Sequence, residues 1–372
     1  MSESSERAAD GTPLLRVDDV SKHFRVSGTG FLGKGAEYVH AVDGVSLDVR
    51  EGETLGLVGE TGCGKSTLAR CITGLHQVSS GSITYDGVNL TRLSQRKLRP
   101  YRADIQMIFQ DPYGSLNPRR RVGSIIGDPF VIHKNDTAQE RKRRVQDLMQ
   151  LVGLNPEHYN RFPSDFSGGQ RQRIGIARAL ALRPRLIVCD EPIAALDVSI
   201  QAQVLNLLNE LQDEFDLTYV FIAHDLAAVQ HISDRIAVMY LGKVAEITET
   251  SQLADHPRHP YSNALMSAAP VADPKRADQR EQIVLSGDMP SPIHPPAGCR
   301  FHPRCPKAQQ RCVDEDPPLQ ARLDDPADHR TACHFPVADG EQLAAQSAPD
   351  GAANTPQEPA AAEPGPTNAN GI

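Results

Sequence analysis

The residues with the most specific chemistry stand in one run, Gly59-Glu60-Thr61-Gly62-Cys63-Gly64-Lys65-Ser66-Thr67, between an apolar stretch (Leu55, Leu57, Val58) and a helix-like one (Leu68 to Ile72). Three glycines let successive backbone N–H groups turn inward as a nest for phosphate oxygens, and a helix starting at Ser66 adds the positive end of its dipole. Lys65 brings a full charge to the β- and γ-phosphates, and the Ser66 hydroxyl is placed to take a Mg²⁺. The pattern predicts a nucleoside-triphosphate site. A magnesium held by the serine needs a carboxylate opposite, and hydrolysis needs a group that orients and polarises water. Asp190 and Glu191, at the end of the apolar run Leu186 to Cys189, fit the first and second roles. Ser167-Gly168-Gly169-Gln170, opening a helix from Arg171 to Leu182, reads alone as an N-cap. Its small residues also bare backbone N–H groups that can face a phosphate, as in the first loop.

The elements that must hold these groups follow from the patterning. With 372 residues the chain suits a large α/β domain plus a smaller one. Leu14 to Val26 reads as a strand, and Ala41 to Val49 alternates apolar and polar residues as a half-buried strand does. Between them Gly28-Thr29-Gly30-Phe31-Leu32-Gly33 matches G-x-G-x-x-G, but no helix follows to hold a pyrophosphate, so it is expected to be a surface loop. Ser82 to Tyr85 with Asp86-Gly87 predicts a hairpin. Ile105 to Phe109, Arg185 to Cys189 and Tyr219 to Ala223 read as buried strands, separated by helical segments at Gly169 to Leu182 and Ile200 to Phe215. Residues 114–166, with a basic amphipathic helix from Thr137 to Val152, look like a helical insertion.

The expected organisation is a disordered lead-in over 1–13, the α/β domain over 14–255, a small cysteine-containing domain over 256–336 and a disordered acidic tail over 337–372. Five of the eight net negative charges (Asp339, Glu341, Asp350, Glu358, Glu363) fall in that tail, which has no Lys or Arg. The balance argues against a nucleic-acid surface, which is built on Lys and Arg. The start is acidic and polar, with no leader peptide, and no apolar run reaches the roughly 18–20 residues that span a bilayer. The chain is therefore expected in the cytosol, or on a membrane only through a partner.

Phe166-Ser167-Gly168-Gly169-Gln170-Arg171-Gln172-Arg173 resembles the LSGGQ signature of ABC transporter ATPases, with Phe for the usual Leu, and the resemblance runs over residues 14–336. It implies a P-loop fold of ABC type that binds ATP and Mg²⁺. Carried over by position, Phe24 stacks on adenine, the alternative being ordinary core packing. Gln110 touches Mg²⁺ and the water, and His224 contacts the γ-phosphate. Asp197 belongs to the loop that meets the opposite nucleotide. Where relatives have Ser-Ala-Leu-Asp, this chain has Ala194-Ala195-Leu196-Asp197 after Ile193, so a serine hydroxyl is gone and the composite site it serves is expected to turn over differently.

Within the family the chain resembles the second ATPase of oligopeptide and dipeptide importers, on Gln106 to Arg119, Asp197 to Gln203, His259-Pro260-Tyr261 and Gly298 to Pro306. That resemblance implies a peripheral protein on the cytoplasmic face of the membrane. Its partners would be a second ABC ATPase subunit, two transmembrane permease subunits and an extracytoplasmic solute-binding protein, and its task ATP-driven import of peptides or related small solutes. The alternative is a non-transport ABC ATPase acting on nucleic acid or the ribosome. Repair ATPases carry long heptad coiled coils and translation-associated members carry tandem domains, whereas this chain has one P-loop, one signature and no sustained heptads.

Cys299, Cys305, Cys312 and Cys333 crowd into 35 residues with spacing C-x₅-C-x₆-C-x₂₀-C, while Cys63, Cys71 and Cys189 read as packing residues. Disulfides do not suit a reducing cytosol, and a small Pro-rich segment gains from a metal staple. Zinc takes Cys₄ but prefers tight C-x₂₋₄-C pairs. A [4Fe–4S] cluster accepts looser spacing, and the importer resemblance points to it. Zn²⁺, including a Cys₃His set with His334, and unliganded thiols are the alternatives.

Overall fold

Runs too apolar to face water on either side form the middle of the molecule. In the computed structural model, which describes residues 12–26, 37–111, 113–133, 136–268, 283–322, 325–341 and 343, the strands β3 (Thr54–Val58), β7 (Leu186–Asp190) and β8 (Thr218–Ile222) are buried at every position. They pair in parallel, with β6 (Ile105–Ile108) beyond β7 and β9 (Arg235–Tyr240) beyond β3. Side chains alternate between the two faces: Val58, Ile187, Cys189, Tyr219 and Phe221 enter one core cluster, and Leu55, Leu57, Val188, Val220 and Ile222 the other. Such two-sided burial is what lets parallel strands read as unbroken apolar runs.

The second cluster is capped by a four-stranded antiparallel sheet, ordered β2-β1-β4-β5, of β1 (Leu15–Val26), β2 (Glu37–Val49), β4 (Ser80–Tyr85) and β5 (Val88–Asn89). Asp86 and Gly87, both at positive φ (47° and 75°), make the expected tight turn. The strand expected from Ala41 begins four residues earlier. Glu37 and Tyr38 are exposed and are held by pairing with Val26 and Arg25 rather than by burial, so no alternation marks them.

The longer helices among the described residues are α1 (Lys65–Ile72), α2 (Val122–His133), α3 (Ala138–Leu151), α4 (Gly168–Leu180), α5 (Val198–Phe215), α6 (Leu226–Ile232) and α7 (Pro260–Ser267). The insertion is α2 and α3 followed by two 3₁₀ turns. Thr137 and Glu140 close a capping box at the start of α3, whose Val145 and Met149, one turn apart, are its buried residues.

The C-terminal part is interlocked with the core of the ATPase domain. Its β12 (Arg330–Thr331) pairs antiparallel with β10 (Lys243–Glu249), β11 (Gln320–Ala321) adds to β12, and Phe301 and Cys305 lie in the first core cluster. The large sheet thus has eight strands, ordered β11-β12-β10-β9-β3-β8-β7-β6. On β10 the fully buried Glu246 accepts from the backbone N–H groups of Arg258 and His259 and faces His329 Nε2 at 2.6 Å. A buried carboxylate with three partners ties the segment down, because each would be costly to leave unpaired. Defined structure runs on past 337, where the tail was expected to begin. The Val337 N–H donates to the Arg258 carbonyl and its side chain is buried, while Asp339 and Glu341 pair with Arg258 and Lys307. The lead-in to residue 11, the 28–33 loop and residues 344–372 lie outside the described residues.

Candidate functional site

Strands β3, β6, β7 and β8 run in parallel, so their C-terminal ends meet on one edge, and there β3 leads on in the sheet toward β6 on one side while its neighbour β9 leads on to β10 on the other. Open α/β sheets bind ligands at such a switch point. The P-loop leaves β3 there. Gly59 sits at φ 147° and a Cβ on it would lie 2.1 Å from the Met239 carbonyl oxygen. Gly64, at φ 108°, would place one 2.0 Å from the Ala41 oxygen. At both positions backbone approach, not merely flexibility, requires glycine. Lys65 is 5% exposed and folds back over the loop, its Nζ donating to the carbonyls of Gly59 (2.6 Å) and Glu60 (3.1 Å). Thr61 and Gly62 are exposed, Ser66 and Thr67 half-buried, and Cys63 is fully buried, its thiol pKa raised by burial.

The end of β7 brings up the carboxylates. Ser66 Oγ donates to Asp190 Oδ1 at 2.7 Å. Two neighbouring ligands of an octahedral Mg²⁺, each about 2.1 Å from the ion, sit about 3 Å apart, so this oxygen pair matches a magnesium edge. Glu191 is held at φ 48°, a region costly for a non-glycine residue, and its N–H donates to the Ile222 carbonyl of the neighbouring strand. That kink turns its carboxylate to Gln110, whose Nε2 donates to Oε2 at 2.7 Å, and to His224, whose Nδ1 lies 3.7 Å from the same oxygen. Gln110 follows β6 and His224 follows β8, so three strand ends deliver one polar cluster beside the P-loop.

The other predicted residues are arranged around a second helix start. Ser167 caps α4 in a reciprocal box with Gln170. A Cβ on Gly169 would fall 2.5 Å from Ile200 Cγ2, which packs the signature on α5. Asp197 is the N-cap residue of α5, and the loop before it is held by Gln201 Nε2 on the carbonyls of Ile193 and Leu196. Phe24 belongs to neither core cluster. It is half-buried on β1, edge-on to His76 (5.4 Å between centroids), with Lys22 Nζ 4.9 Å from its ring centre.

Cys299, Cys305, Cys312 and Cys333 line one small cavity with His302, His334 and Phe335. No disulfide joins any of the seven cysteines. Burial pushes the thiols of Cys305 and Cys333 up to about 12 and raises that of Cys299. Among the described residues no three of these sulfurs lie within 4.8 Å of one another. A single zinc with bonds of about 2.3 Å would hold all four about 3.8 Å apart. The donor set, four thiols with no disulfide among them, is the type that both zinc and iron–sulfur clusters take.

Sequence reasoning gave no role to Tyr261, Arg300 and Arg304, which touch the P-loop or its support. Tyr261 Oη accepts from the Glu60 N–H, and Arg304 binds the Glu60 carboxylate. The only signal was their place in the importer-like stretches.

The strand-loop-helix nest, the Ser66–Asp190 edge and the Glu191 cluster define a P-loop nucleoside triphosphatase. Comparison with known proteins narrows this. Residues 42–194 match the ABC transporter family and residues 245–312 match the oligopeptide/dipeptide transporter C-terminal region. An oligopeptide transport ATP-binding protein of Bacillus subtilis is 51% identical over 88% of this chain and 99% of its own length. A di/tripeptide transport ATP-binding protein of Pseudomonas aeruginosa is 48% identical over 86% and 97%. A dimeric ATP-binding cassette bound to ADP and Pi in a post-hydrolysis state superposes with TM-score 0.57 at 28% identity, covering 63% of this chain and 98% of that one. The chain belongs to the ABC transporter ATPases, in the family of oligopeptide and dipeptide transport ATP-binding proteins.

Proposed function

We propose that this chain hydrolyses ATP to drive import of peptides or related small solutes, working in pairs with a second ATPase beneath two permease subunits. The observation that carries the reading is the convergence of four strand ends, which sets the Ser66–Asp190 edge and the Gln110–Glu191–His224 cluster beside the P-loop. Lys65, Ser66 and the loop N–H groups hold the phosphates. Asp190 and Gln110 complete the magnesium shell, Glu191 orients the water with His224 beside it, and Phe24 stacks on the base. Ser167 to Gln170 cap the nucleotide of the partner ATPase, and Asp197 meets it. Among the described residues no helix is long and apolar enough to cross a membrane. The insertion and the segment before it expose Val131 (60%), Ile132 (57%) and Tyr113 (61%), apolar side chains suited to such a partner. In cells lacking this chain, the parental gene is expected to restore uptake of labelled di- and oligopeptides and Lys65→Ala is not. Restoration by Lys65→Ala would overturn the reading.

The four cysteines, we propose further, hold a [4Fe–4S] cluster. The support is the shared cavity, which gathers all four thiols with no disulfide among them. Both nearby histidines have backbone partners, His302 Nδ1 the Cys299 carbonyl (2.9 Å) and His334 Nε2 the Glu315 carbonyl (3.1 Å), which favours them as bystanders. When bound, the cluster supplies four bonds that staple the segment. Protein purified without oxygen is expected to be brown, with iron and acid-labile sulfide that Cys305→Ser or Cys312→Ser removes. Colourless protein with stoichiometric zinc would decide for the alternative metal, and metal-free protein with four titratable thiols would contradict both.

A further inference from the structure

The loop Cys299-Arg300-Phe301-His302-Pro303-Arg304-Cys305 has two faces. Its cysteines line the thiol cavity, while Arg304 reaches the P-loop and Arg300 the Leu241 turn beside it. Arg304, with 11% of its side chain exposed, places Nη1 3.0 Å from both carboxylate oxygens of Glu60, the second residue of the P-loop, and 3.4 Å from Tyr240 Oη. The Glu60 N–H is taken by Tyr261 Oη at 2.9 Å and its carbonyl by Lys65 Nζ. Phe301, between the arginines, packs on the rings of Tyr240 and Tyr261. Arg300 forms the second arm. It donates to the Leu241 carbonyl at 2.8 Å and to Asp43, while the Gly242 N–H donates to the Cys63 carbonyl and the Gly242 carbonyl accepts from the Asp43 N–H. The first arm ends on the side chain of a P-loop residue, and the second is linked to the Cys63 carbonyl of the loop through the Leu241-Gly242 turn.

We infer that Arg304 is a positioning residue through which the four-cysteine site sets the affinity of the P-loop for nucleotide. This rests on the readings that the P-loop takes MgATP and that the cysteines hold a metal group. Two physical effects make the link. A Glu60 carboxylate without Arg304 is an unbalanced negative charge at the mouth of a phosphate site, and charge-assisted bonds of this kind are strong where water is partly excluded. A P-loop no longer held at Glu60 must also be ordered by the incoming nucleotide, which lowers affinity. Bonds from Cys299 and Cys305 to a common group fix both ends of the seven-residue loop, and so fix where Arg304 stands.

The test is MgATP affinity of the full chain, measured by a fluorescent ATP analogue alongside metal content. Arg304→Gln is expected to weaken binding about tenfold, as the loss of a charge-assisted hydrogen bond does, while metal content stays parental. Arg304→Lys, which keeps a donor for the carboxylate, should recover much of that loss. Cys305→Ser should lose the metal and weaken binding to a similar extent, and Arg304→Gln added to it should cost little more, because both act through one contact. Cys312→Ser, outside the loop, serves the same comparison if Cys305→Ser does not fold. Parental affinity in Arg304→Gln, or losses that multiply in the double variant, would overturn the inference. Lys65→Ala in the same assay keeps the two readings apart: if it abolishes binding while Arg304→Gln does not alter it, the nucleotide site stands and the Arg304 link falls.

Discussion

Glu191→Gln is expected to leave ATP binding intact and to lower turnover in the assembled transporter by about 10²–10⁴-fold, the range for removing a positioned general base. The substitution keeps the shape of the side chain and its place at φ 48°, and its amide can still meet Gln110 and His224. What disappears is the acceptor charge that polarises the attacking water. Lys65→Ala should behave in the opposite way. It removes the one ammonium that the loop already carries, and affinity falls before any question of chemistry arises. Equilibrium binding and single-turnover hydrolysis separate the two. A Glu191→Gln protein that hydrolyses ATP at the parental rate would remove Glu191 from its role.

The nucleotide site was largely written in local sequence. Loops at strand ends carry their chemistry within a few residues, and buried parallel strands announce themselves as apolar runs, so the P-loop and Asp190-Glu191 could be placed from pattern alone. Gln110 and His224 were different. Neither has a local motif with a mechanism, and only the family resemblance suggested them; the structure places both on the Glu191 carboxylate. The starts of β2 and of the tail were misplaced for one reason. Glu37, Tyr38, Asp339 and Glu341 are polar or exposed residues held by partners distant in sequence, and composition carries no record of such partners.

The interlocking of the C-terminal segment with the ATPase core was the least accessible feature. Glu246 looks like an ordinary strand glutamate until His329 and the backbone of Arg258 and His259 are placed around it. The same holds for Arg304, 244 positions from Glu60, whose contact with the P-loop nothing in its local sequence marks. Spacing can group four cysteines, but the opposite face of the same loop becomes visible only after folding.

The central claim is that each ATP site is completed by the signature of another ATPase. Within this chain Ser167 to Gln170 are locked to the α5 start through Gly169 against Ile200, and Val198, the residue after Asp197, is 81% exposed. An apolar side chain left in water beside the signature suits a surface that a partner covers. The N–H groups at the start of α4 would act on a phosphate as oxyanion donors do, and loss of one such donor costs about 10²–10³-fold in rate. The most direct measurement is ATP turnover per site for the purified chain against the complex reconstituted with its partner ATPase and permeases. The account predicts that the chain alone turns over at least about 10²-fold more slowly, and equal rates per site would contradict it.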